Sequence, residues 1–312
     1  MGMYCFGIDV GGTSVKCGLF LTNGTLVEQW EIPTRLENNG SSILPDVADA
    51  IKTKLDERGI TKDNVDGVGI GIPGPVNENG EVPMAVNLHW GFKAVASELS
   101  ALTGLPAKAA NDANIAALGE AWKGAAEGSK NVILVTLGTG VGGGIIHNGK
   151  IIPGANGAGG EIGHITVNTE EKDTCGCGRH GCLEQYASAT GIVRMAKKLL
   201  AEKDAESSLR GFEPLTAKDI FDEAKKGDAL ALEAVEILGE TLGMALSNIA
   251  CVVNPQVFVI GGGVSRAGDI LIDTVAKHFK EHAFASCKDT KFALASLGND
   301  AGMYGCVQMI LD

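Results

Sequence analysis

The chain alternates between short apolar stretches and longer segments with apolar residues at helical spacing. Ile43, Val47, Ile51 and Leu55 recur every four positions, which is the pattern of an amphipathic helix. Short apolar runs bounded by glycine, proline or asparagine indicate strands. The predicted strands are 4–10, 15–21, 25–33, 66–72, 106–110, 131–137, 257–260 and 291–296. The predicted helices are 41–58, 92–103, 113–123, 183–202, 217–226, 229–253, 268–281 and 300–311. Alternating strands and helices predict an α/β fold.

The opening pattern of the chain recurs in its second half. Asn23-Gly24 and Asn148-Gly149 are both hairpin turn signals, and they stand 125 residues apart. At that offset Gly18 aligns with Gly143. Each half therefore begins with a strand, a glycine turn, a second strand, Asn-Gly and a third strand. This repetition predicts an internal duplication.

The length of 312 residues corresponds to about two domains of roughly 150 residues each. We expect a small N-terminal α/β domain, residues 1–112, and a larger one, residues 113–299, that contains the cysteine-rich loop. The C-terminal helix, residues 300–312, is expected to pack back on the first domain. Hydrophobic residues make up 45% of the chain, which excludes a largely disordered protein.

The net charge is −12, and lysine and arginine do not cluster into the basic patch typical of nucleic-acid binding. No apolar run reaches the length of a membrane span. Asp9 interrupts the apolar N-terminal stretch too early for a secretory signal. We therefore expect a cytoplasmic protein that binds neither nucleic acid nor membranes.

Glycine is unusually frequent. It accounts for 44 of the 312 residues, which is about twice the typical share of roughly 7%. The glycines cluster beside apolar runs and not in linkers. Glycine in a turn lets the backbone approach a ligand closely. The composition thus predicts several turns that face a ligand.

The first such turn follows the first predicted strand. In the segment Asp9–Thr13, glycine N–H groups could cradle phosphate oxygens, and Thr13 adds a hydroxyl donor. Asp9 could hold Mg²⁺, and Lys16 could offset phosphate charge. A plain hairpin turn is the alternative. The string fits neither the P-loop nor the Rossmann pattern, because a strand follows it. The candidate ATP-binding residues here are Asp9, Gly11, Gly12, Thr13 and Lys16.

A second glycine turn, Leu137–Gly144, stands at the equivalent position of the second half. Two such turns could clamp a nucleotide phosphate from two sides. A third, Gly261–Gly263, follows a buried strand and precedes a helix, where ligands meet strand ends. It could hold the adenosine, or it could serve close strand–helix packing. The candidate residues are Gly138, Thr139, Gly140, Gly142, Gly261, Gly262 and Gly263.

Asn111 and Asp112 stand between a predicted strand and the helix 113–123. Aspartate is a favoured helix N-cap, and the string alone favours that role for Asp112. The alternative is a general base that accepts a proton from a substrate hydroxyl. Phosphoryl transfer has a loose transition state, so an ordinary carboxylate suffices if it is well placed.

Three of the eight cysteines crowd into one glycine-rich loop. The spacing Cys175-x-Cys177-x₄-Cys182, with His164 eleven residues before it, predicts a closed Cys₃His structural zinc site. His180, inside the loop, is less able to reach the same metal. We expect the five isolated cysteines to be small buried hydrophobic residues.

Two carboxylates, Glu161 and Glu184, flank this loop. They could accept hydrogen bonds from sugar hydroxyls, although solvated charge is the usual role of glutamate.

In these motifs the chain resembles the ROK family, which contains sugar kinases and repressors. The resemblance spans almost the whole chain. It rests on Asp9–Thr13, Asn111–Asn114, Leu137–Gly144, Gly160–His164, the Cys175–Cys182 loop with Leu183-Glu184, and Gly261–Gly263. The motif around Glu161 and His164 and the cysteine loop are specific, whereas the glycine turns are generic.

The resemblance implies a duplicated fold of the actin-like, ribonuclease-H-like ATPase type, with a sugar in the cleft between two domains. Asp112 would be the catalytic base, and His164 would serve metal and sugar through different ring nitrogens. The implied sugar-binding residues are Gly74, Asn87, Asn111, Asp112, Glu161, His164 and Glu184.

The implied activity is phosphorylation of D-glucose to glucose 6-phosphate by Mg·ATP, in a homodimer or homotetramer. Alternatives remain open: N-acetylmannosamine, allose, mannose or fructose as acceptor, polyphosphate as donor, or a non-catalytic sugar-sensing regulator. Asp112 and the two phosphate turns favour a kinase over a regulator. Family repressors carry an added N-terminal helix-turn-helix, which we do not expect here because the first phosphate motif begins at residue 9.

Overall fold

The computed structural model describes residues 2–312 and contains two five-stranded sheets. The strands are β1 (Tyr4–Val10), β2 (Ser14–Leu21), β3 (Leu26–Pro33), β4 (Val65–Ile72), β5 (Ala107–Asn111), β6 (Val132–Leu137), β7 (Val141–His147), β8 (Lys150–Ile151), β9 (Val257–Gly261) and β10 (Lys291–Leu294). The helices are α1 (Glu37–Gly40), α2 (Ile43–Arg58), α3 (Val95–Thr103), α4 (Asp112–Lys123), α5 (Glu184–Ala187), α6 (Ala189–Glu202), α7 (Ala217–Lys225), α8 (Ala229–Val253), α9 (Asp269–His282) and α10 (Ala301–Leu311).

The two sheets have the same topology. The strand order is β3-β2-β1-β4-β5 in one sheet and β8-β7-β6-β9-β10 in the other. In the first sheet β1 pairs antiparallel with β2 and parallel with β4. In the second sheet β9 pairs parallel with both β6 and β10. The α/β class is therefore confirmed, and the matching strand orders agree with the predicted duplication.

Two compact units make up the chain. The first comprises residues 1–130, 144–160 and 296–312, and the second comprises residues 131–143 and 161–295. The first unit is thus wider than the predicted range 1–112. The physical reason is that α4 packs along α10, which in turn covers β1 and β4.

The core of the first unit lies between its sheet and helix α2. Phe6, Ile8 and Ile70 on β1 and β4 are fully buried, as is Val47 of α2. The four apolar residues that predicted this helix all face that core. Parallel strands covered on both faces read as continuous apolar runs, which explains the sequence of β4.

Helices α8 and α9 pack together in the second unit. An aromatic cluster of Phe258, Phe279 and Phe292 joins β9, α9 and β10, with ring centroids 5.2–5.5 Å apart. Such aromatic contacts add to the stabilisation that burial already gives.

One predicted helix, residues 183–202, is divided in the structure. The backbone of Ser188 is extended, and its side chain caps α6 by accepting a hydrogen bond from the N–H of Gly191. Thr216 caps α7 in a capping box with Asp219. Within residues 2–312 no helix is long and apolar enough to cross a membrane.

Candidate active site

Two carboxylates of the first unit stand at the carboxyl edge of its parallel strands. Asp9 lies near the end of β1, and Asp112 follows the end of β5. Burial raises the pKa of Asp9 to about 6, and the nearby Asp112 carboxylate adds to this rise. Lys16, opposite Asp9 in the β1–β2 register, lowers the pKa of Asp9 and so opposes both effects. Negative charge is therefore concentrated at this edge of the sheet.

The turn after β1 has an exposed tip. The N–H of Gly11 donates to the Ser14 carbonyl over 2.9 Å, and the Thr34 hydroxyl donates to the Gly11 carbonyl over 2.7 Å. These bonds fix the base of the turn and leave Gly12 and Thr13 exposed. Lys16 donates from Nζ to the carbonyl of Asn299 over 3.0 Å.

A magnesium ion would suit Asp9. Mg²⁺ is usually bound through one or two carboxylates together with substrate phosphates and waters. The carboxylate of Asp9 is largely buried next to a second negative charge, and a divalent cation would compensate for both penalties. The residues present therefore fit this ion.

Helix α4 begins at Asp112, one residue earlier than the predicted start at residue 113. Asn111, not Asp112, is the N-cap, and its side-chain oxygen accepts from the N–H groups of Ala113 and Asn114. The prediction that Asp112 caps this helix is wrong, because the extended backbone of Asn111 gives that residue the cap geometry. The Asn111 amide also donates to Asp112 Oδ1 over 2.9 Å and to the Gly74 carbonyl over 3.1 Å. The Asn111 amide thus orients the Asp112 carboxylate and also contacts the loop that contains Gly74.

Asn87 lies close in the chain to a segment that packs on this loop. A Cβ at Gly74 would lie 3.4 Å from the Cβ of Ala85, two residues before Asn87. Asn87 itself is exposed, in a single 3₁₀ turn at Val86–Leu88. The Asn111 side chain therefore contacts both Gly74 and Asp112, whereas Asn87 lies in an exposed turn.

The glycine turn of the second unit rests on the start of α6. The N–H of Gly138 donates to the carbonyl of Gly140 over 3.0 Å, which closes the turn, while Gly142 lies within β7. The N–H of Ala189 donates to the Gly138 carbonyl over 2.8 Å, and the Thr190 hydroxyl donates to the Thr139 carbonyl over 2.7 Å. Side chains and backbone from α6 therefore set the position of this turn.

The third glycine motif lies beside the second one. Gly261 ends β9 and pairs with Thr136 of β6, so the two turns leave neighbouring parallel strands. A Cβ at Gly262 would lie 2.5 Å from the Leu137 carbonyl oxygen, whereas Gly263 has open space around it. Close packing against the backbone of Leu137 explains why residue 262 is glycine. Gly263 is exposed and remains accessible to a ligand.

The structure brings the four predicted metal ligands together. The ligand atoms of His164, Cys175, Cys177 and Cys182 all lie within 4.8 Å of one another. Cys177 Sγ and Cys182 Sγ are 3.6 Å apart, and Cys175 Sγ is 3.9 Å from His164 Nδ1. Two sulfurs on a tetrahedral zinc with bonds of about 2.3 Å stand roughly 3.8 Å apart. The donor set and its spacing therefore fit a structural zinc ion.

His164 has two different faces. Its Nδ1 faces Cys175, whereas its Nε2 lies 4.0 Å from Glu161 Oε2. Glu184 Oε1 lies 2.8 Å from Cys175 Sγ and 3.7 Å from His164 Nδ1. The ring of His180 contacts the Asp173 carbonyl at 3.2 Å. The cluster thus includes His164, and both glutamates stand next to it.

Sequence reasoning missed the network that supports the cysteine loop. Arg194 of α6 donates to Glu171 over 2.7 Å and to Asp173 over 2.8 Å, and its guanidinium lies over the Tyr186 ring. The hydrogen bond from Arg194 to Glu171, with one from the Tyr186 hydroxyl, lowers the pKa of Glu171 to about 2. The two carboxylate partners of Arg194 stand more than 20 positions away in the sequence, so no local pattern could have found them.

The paired sheet topology and the glycine turns define an α/β protein of the actin-like ATPase type. The model of the ROK family matches residues 5–312, and the chain belongs to this family. It is 45% identical over 304 residues to a glucokinase of Halalkalibacterium halodurans, covering 96% of this chain and 92% of that protein.

Two further relatives bear on function. A ROK family glucokinase from Streptomyces griseus, solved in complex with glucose and AMPPNP, is 32% identical with a TM-score of 0.73, and 98% of each chain is covered. A xylose repressor of Caldicellulosiruptor bescii is 29% identical over 309 residues, covering 98% of this chain and 77% of the repressor.

Proposed function

We propose that this chain transfers the γ-phosphoryl group of ATP to the 6-hydroxyl of D-glucose, giving glucose 6-phosphate and ADP. The observation that carries the proposal is the placement of Asp112. Its carboxylate stands at the carboxyl edge of the parallel strands and is oriented by the Asn111 amide at 2.9 Å. The 45% identity to a glucokinase supports glucose as the acceptor.

Asp112 acts as the general base in this proposal. It accepts the proton of the 6-hydroxyl as that oxygen attacks the γ-phosphorus and the bond to the ADP oxygen breaks. The transition state is loose, so position matters more than base strength. Asn111 holds Asp112 in place through the same side chain that caps α4.

The glycine turns bind the phosphates. In the first unit, the Gly12 N–H and the Thr13 hydroxyl face the nucleotide, Gly11 fixes the base of the turn, and Lys16 offsets the phosphate charge. In the second unit, Thr139 and Gly140 face the phosphates, Gly138 closes the turn, and Gly263 lines the adenosine. Asp9 would hold Mg²⁺, which supplies compensation for the charge of the phosphates.

Sugar hydroxyls are recognised by Asn111 and by the groups beside the cysteine cluster. Glu161 and Glu184 accept hydrogen bonds from hydroxyls, and His164 Nε2 lies on the same side as Glu161. Zinc, held by Cys175, Cys177, Cys182 and His164 Nδ1, would fix the loop that carries these residues. In the first unit, the family resemblance assigns Gly74 and Asn87 to sugar binding as well.

The test is ADP release by the purified chain with a panel of hexoses and N-acetylhexosamines, with ATP or polyphosphate as donor. We expect the highest kcat/KM with D-glucose and ATP. A clear preference for N-acetylmannosamine, allose, mannose or fructose would replace the acceptor, and a preference for polyphosphate would replace the donor. No turnover with any pair would overturn the kinase proposal.

A sugar-sensing regulator is the second candidate, because the xylose repressor matches 98% of this chain. The two candidates differ in one measurement. A regulator would bind a sugar in calorimetry without releasing ADP, whereas a kinase does both.

We also infer that the protein works in the cytoplasm. Its assembly into a homodimer or homotetramer is what the family resemblance implies. Light scattering of the purified protein would then give two or four times the monomer mass. A monomer at micromolar concentration would contradict this part of the proposal.

A further inference from the structure

The hydroxyl groups of Ser188 and Thr190, at the start of α6, lie between Glu184 and the Gly138–Gly140 turn. Glu184 is assigned above to the sugar, and the turn, called the phosphate turn below, is assigned to ATP. Ser188 Oγ donates to the carbonyl of Glu184 over 2.6 Å, and Thr190 Oγ1 donates to the carbonyl of Thr139 over 2.7 Å. The two hydroxyl oxygens are 3.0 Å from each other. Together they form a chain of polar contacts from α5 to the turn.

The protons of these hydroxyls can satisfy only two of the three contacts. Serine and threonine have one O–H donor each. When both donate outward, Glu184 and Thr139 are both held and no proton lies between Ser188 and Thr190. When Thr190 donates to Ser188 instead, its bond to the Thr139 carbonyl is lost. In a third arrangement Ser188 donates to Thr190 and its bond to the Glu184 carbonyl is lost. Only the first arrangement keeps the bonds to both Glu184 and Thr139, and the Thr190 bond then adds to the backbone bond from the Ala189 N–H to the Gly138 carbonyl.

The phosphate turn also abuts the Glu184 side chain directly. A Cβ at Gly140 would lie 2.6 Å from Glu184 Oε2, so any larger residue here would displace the Glu184 carboxylate. Thr139, Gly140, Glu184 and Thr190 line one cavity of about 350 Å³. A shift of the turn therefore moves the surface against which the Glu184 carboxylate packs.

We propose that Thr190 is a positioning residue that couples nucleotide binding at the Gly138–Gly140 turn to sugar binding at Glu184. Phosphates that order the turn favour donation by Thr190 to the Thr139 carbonyl, which holds the turn against α6. Because Gly140 of the turn abuts Glu184 Oε2, ordering the turn also orders the surface on which the Glu184 carboxylate packs. The inference rests on the proposed function, since it assigns the turn to ATP and Glu184 to the sugar.

The experiment compares Thr190→Val, which removes the hydroxyl at nearly constant volume, with Thr190→Ser, which keeps it. Calorimetry gives the Kd of glucose with and without saturating Mg·AMPPNP, and the Kd of AMPPNP with and without glucose. The two ratios must agree, because coupling between two sites is reciprocal. Zinc content and melting temperature show whether the fold is retained, which we expect because Thr190 is exposed.

In the wild type, AMPPNP is expected to tighten glucose binding. Loss of one hydrogen bond should reduce this coupling ratio by roughly twofold to tenfold in Thr190→Val. The ratio should be retained in Thr190→Ser, and glucose binding without nucleotide should change little in either variant.

An unchanged ratio in Thr190→Val, or a wild-type ratio of one, would overturn the coupling role. A wild-type protein that binds neither glucose nor AMPPNP would instead overturn the proposed function. The failure of the inference and the failure of the function are therefore distinguishable.

Discussion

The carboxylate of Asp112 is held by its neighbours in a way that an amide can imitate. Its Oδ1 accepts hydrogen bonds from the Asn111 amide and from the N–H of Ala113. Asp112→Asn keeps an oxygen acceptor at this position and removes the ability to take a proton. We expect kcat to fall by roughly 10²–10⁴-fold, with the zinc content and circular dichroism spectrum of the wild type. Turnover close to that of the wild type would exclude Asp112 as the base.

Asp9 should make the stability of the first unit depend on pH. Its pKa lies near 3.8 in the unfolded chain and near 6 in the fold, because it is buried beside Asp112. The folded state therefore binds more protons, and the contribution of Asp9 to stability, greatest below pH 4, declines as pH rises through 6. Asp9→Asn has no carboxylate at this position and so lacks this decline. Without Mg²⁺ or nucleotide, the free energy of unfolding of Asp9→Asn minus that of the wild type should therefore increase by about 1 kcal/mol from pH 5 to pH 8.

The measurement for Asp9→Asn is urea unfolding at both pH values. Asp204→Asn is the control, because Asp204 is exposed. If the free energy of unfolding changes equally with pH in Asp9→Asn and in the wild type, the fold does not disfavour the charged form of Asp9.

Asn111 shows what a sequence can say about one residue and what it cannot. The pair Asn111-Asp112 marked the start of a helix, and α4 begins there. Asparagine and aspartate are nearly equal as N-caps, so composition could not tell which residue caps. The choice depends on the backbone angles of Asn111, which are set by the strand before it.

The cysteine loop can be tested as an element. Removing one ligand from a closed Cys₃His set leaves an incomplete site, so Cys177→Ser should purify with little zinc. Because Glu184 contacts Cys175 at 2.8 Å, loss of the cluster should also raise the KM for glucose, by about tenfold or more. Elemental analysis and kinetics give the two readouts.

Four of the five isolated cysteines are buried as predicted, but Cys251 is exposed, so the prediction is wrong for that residue. Cys251→Ser is therefore the matched control for Cys177→Ser, because both cysteines are exposed and Cys251 lies outside the cluster. It should keep both zinc and KM. Equal zinc in the two variants would remove Cys177 from the ligand set.

At the scale of elements, apolar spacing predicted most helices and strands, because one face of each is buried. The predicted helix 183–202 is the informative exception. Its apolar pattern continues through Ser188, yet the bond from the Gly191 N–H to Ser188 starts a new helix. Serine competes with the helix backbone by such local bonds. The break places Thr190 against the phosphate turn, a contact that no periodicity encodes.

At the scale of the whole molecule, the two Asn-Gly signals were enough to predict a duplication, and the sheets have matching strand orders. The division into compact units was harder to predict. The chain returns to the first unit at residues 144–160 and again at 296–312. Helix α10 packs on β1, β4 and α4, and contacts across nearly 300 residues leave no local trace in the sequence.

The packing of α10 on α4 should therefore limit the stability of the first unit. A Cβ at Gly305 would lie 1.7 Å from the carbonyl oxygen of Ile115, so Gly305→Ala must push the two helices apart. Overpacking of this kind costs about 1–3 kcal/mol. Gly211→Ala is the control, because the space around Gly211 is open and its backbone is not left-handed.

Tryptophan fluorescence is the suitable probe for this prediction. The three tryptophans, Trp30, Trp90 and Trp122, all belong to the first unit, and the Trp122 ring lies 6.4 Å from that of Tyr304 on α10. Urea unfolding followed by fluorescence should show a lower midpoint for Gly305→Ala and the wild-type midpoint for Gly211→Ala. If the midpoint of Gly305→Ala equals that of the wild type, the contact of α10 with α4 does not stabilise the first unit, and the C-terminal helix is peripheral to its folding.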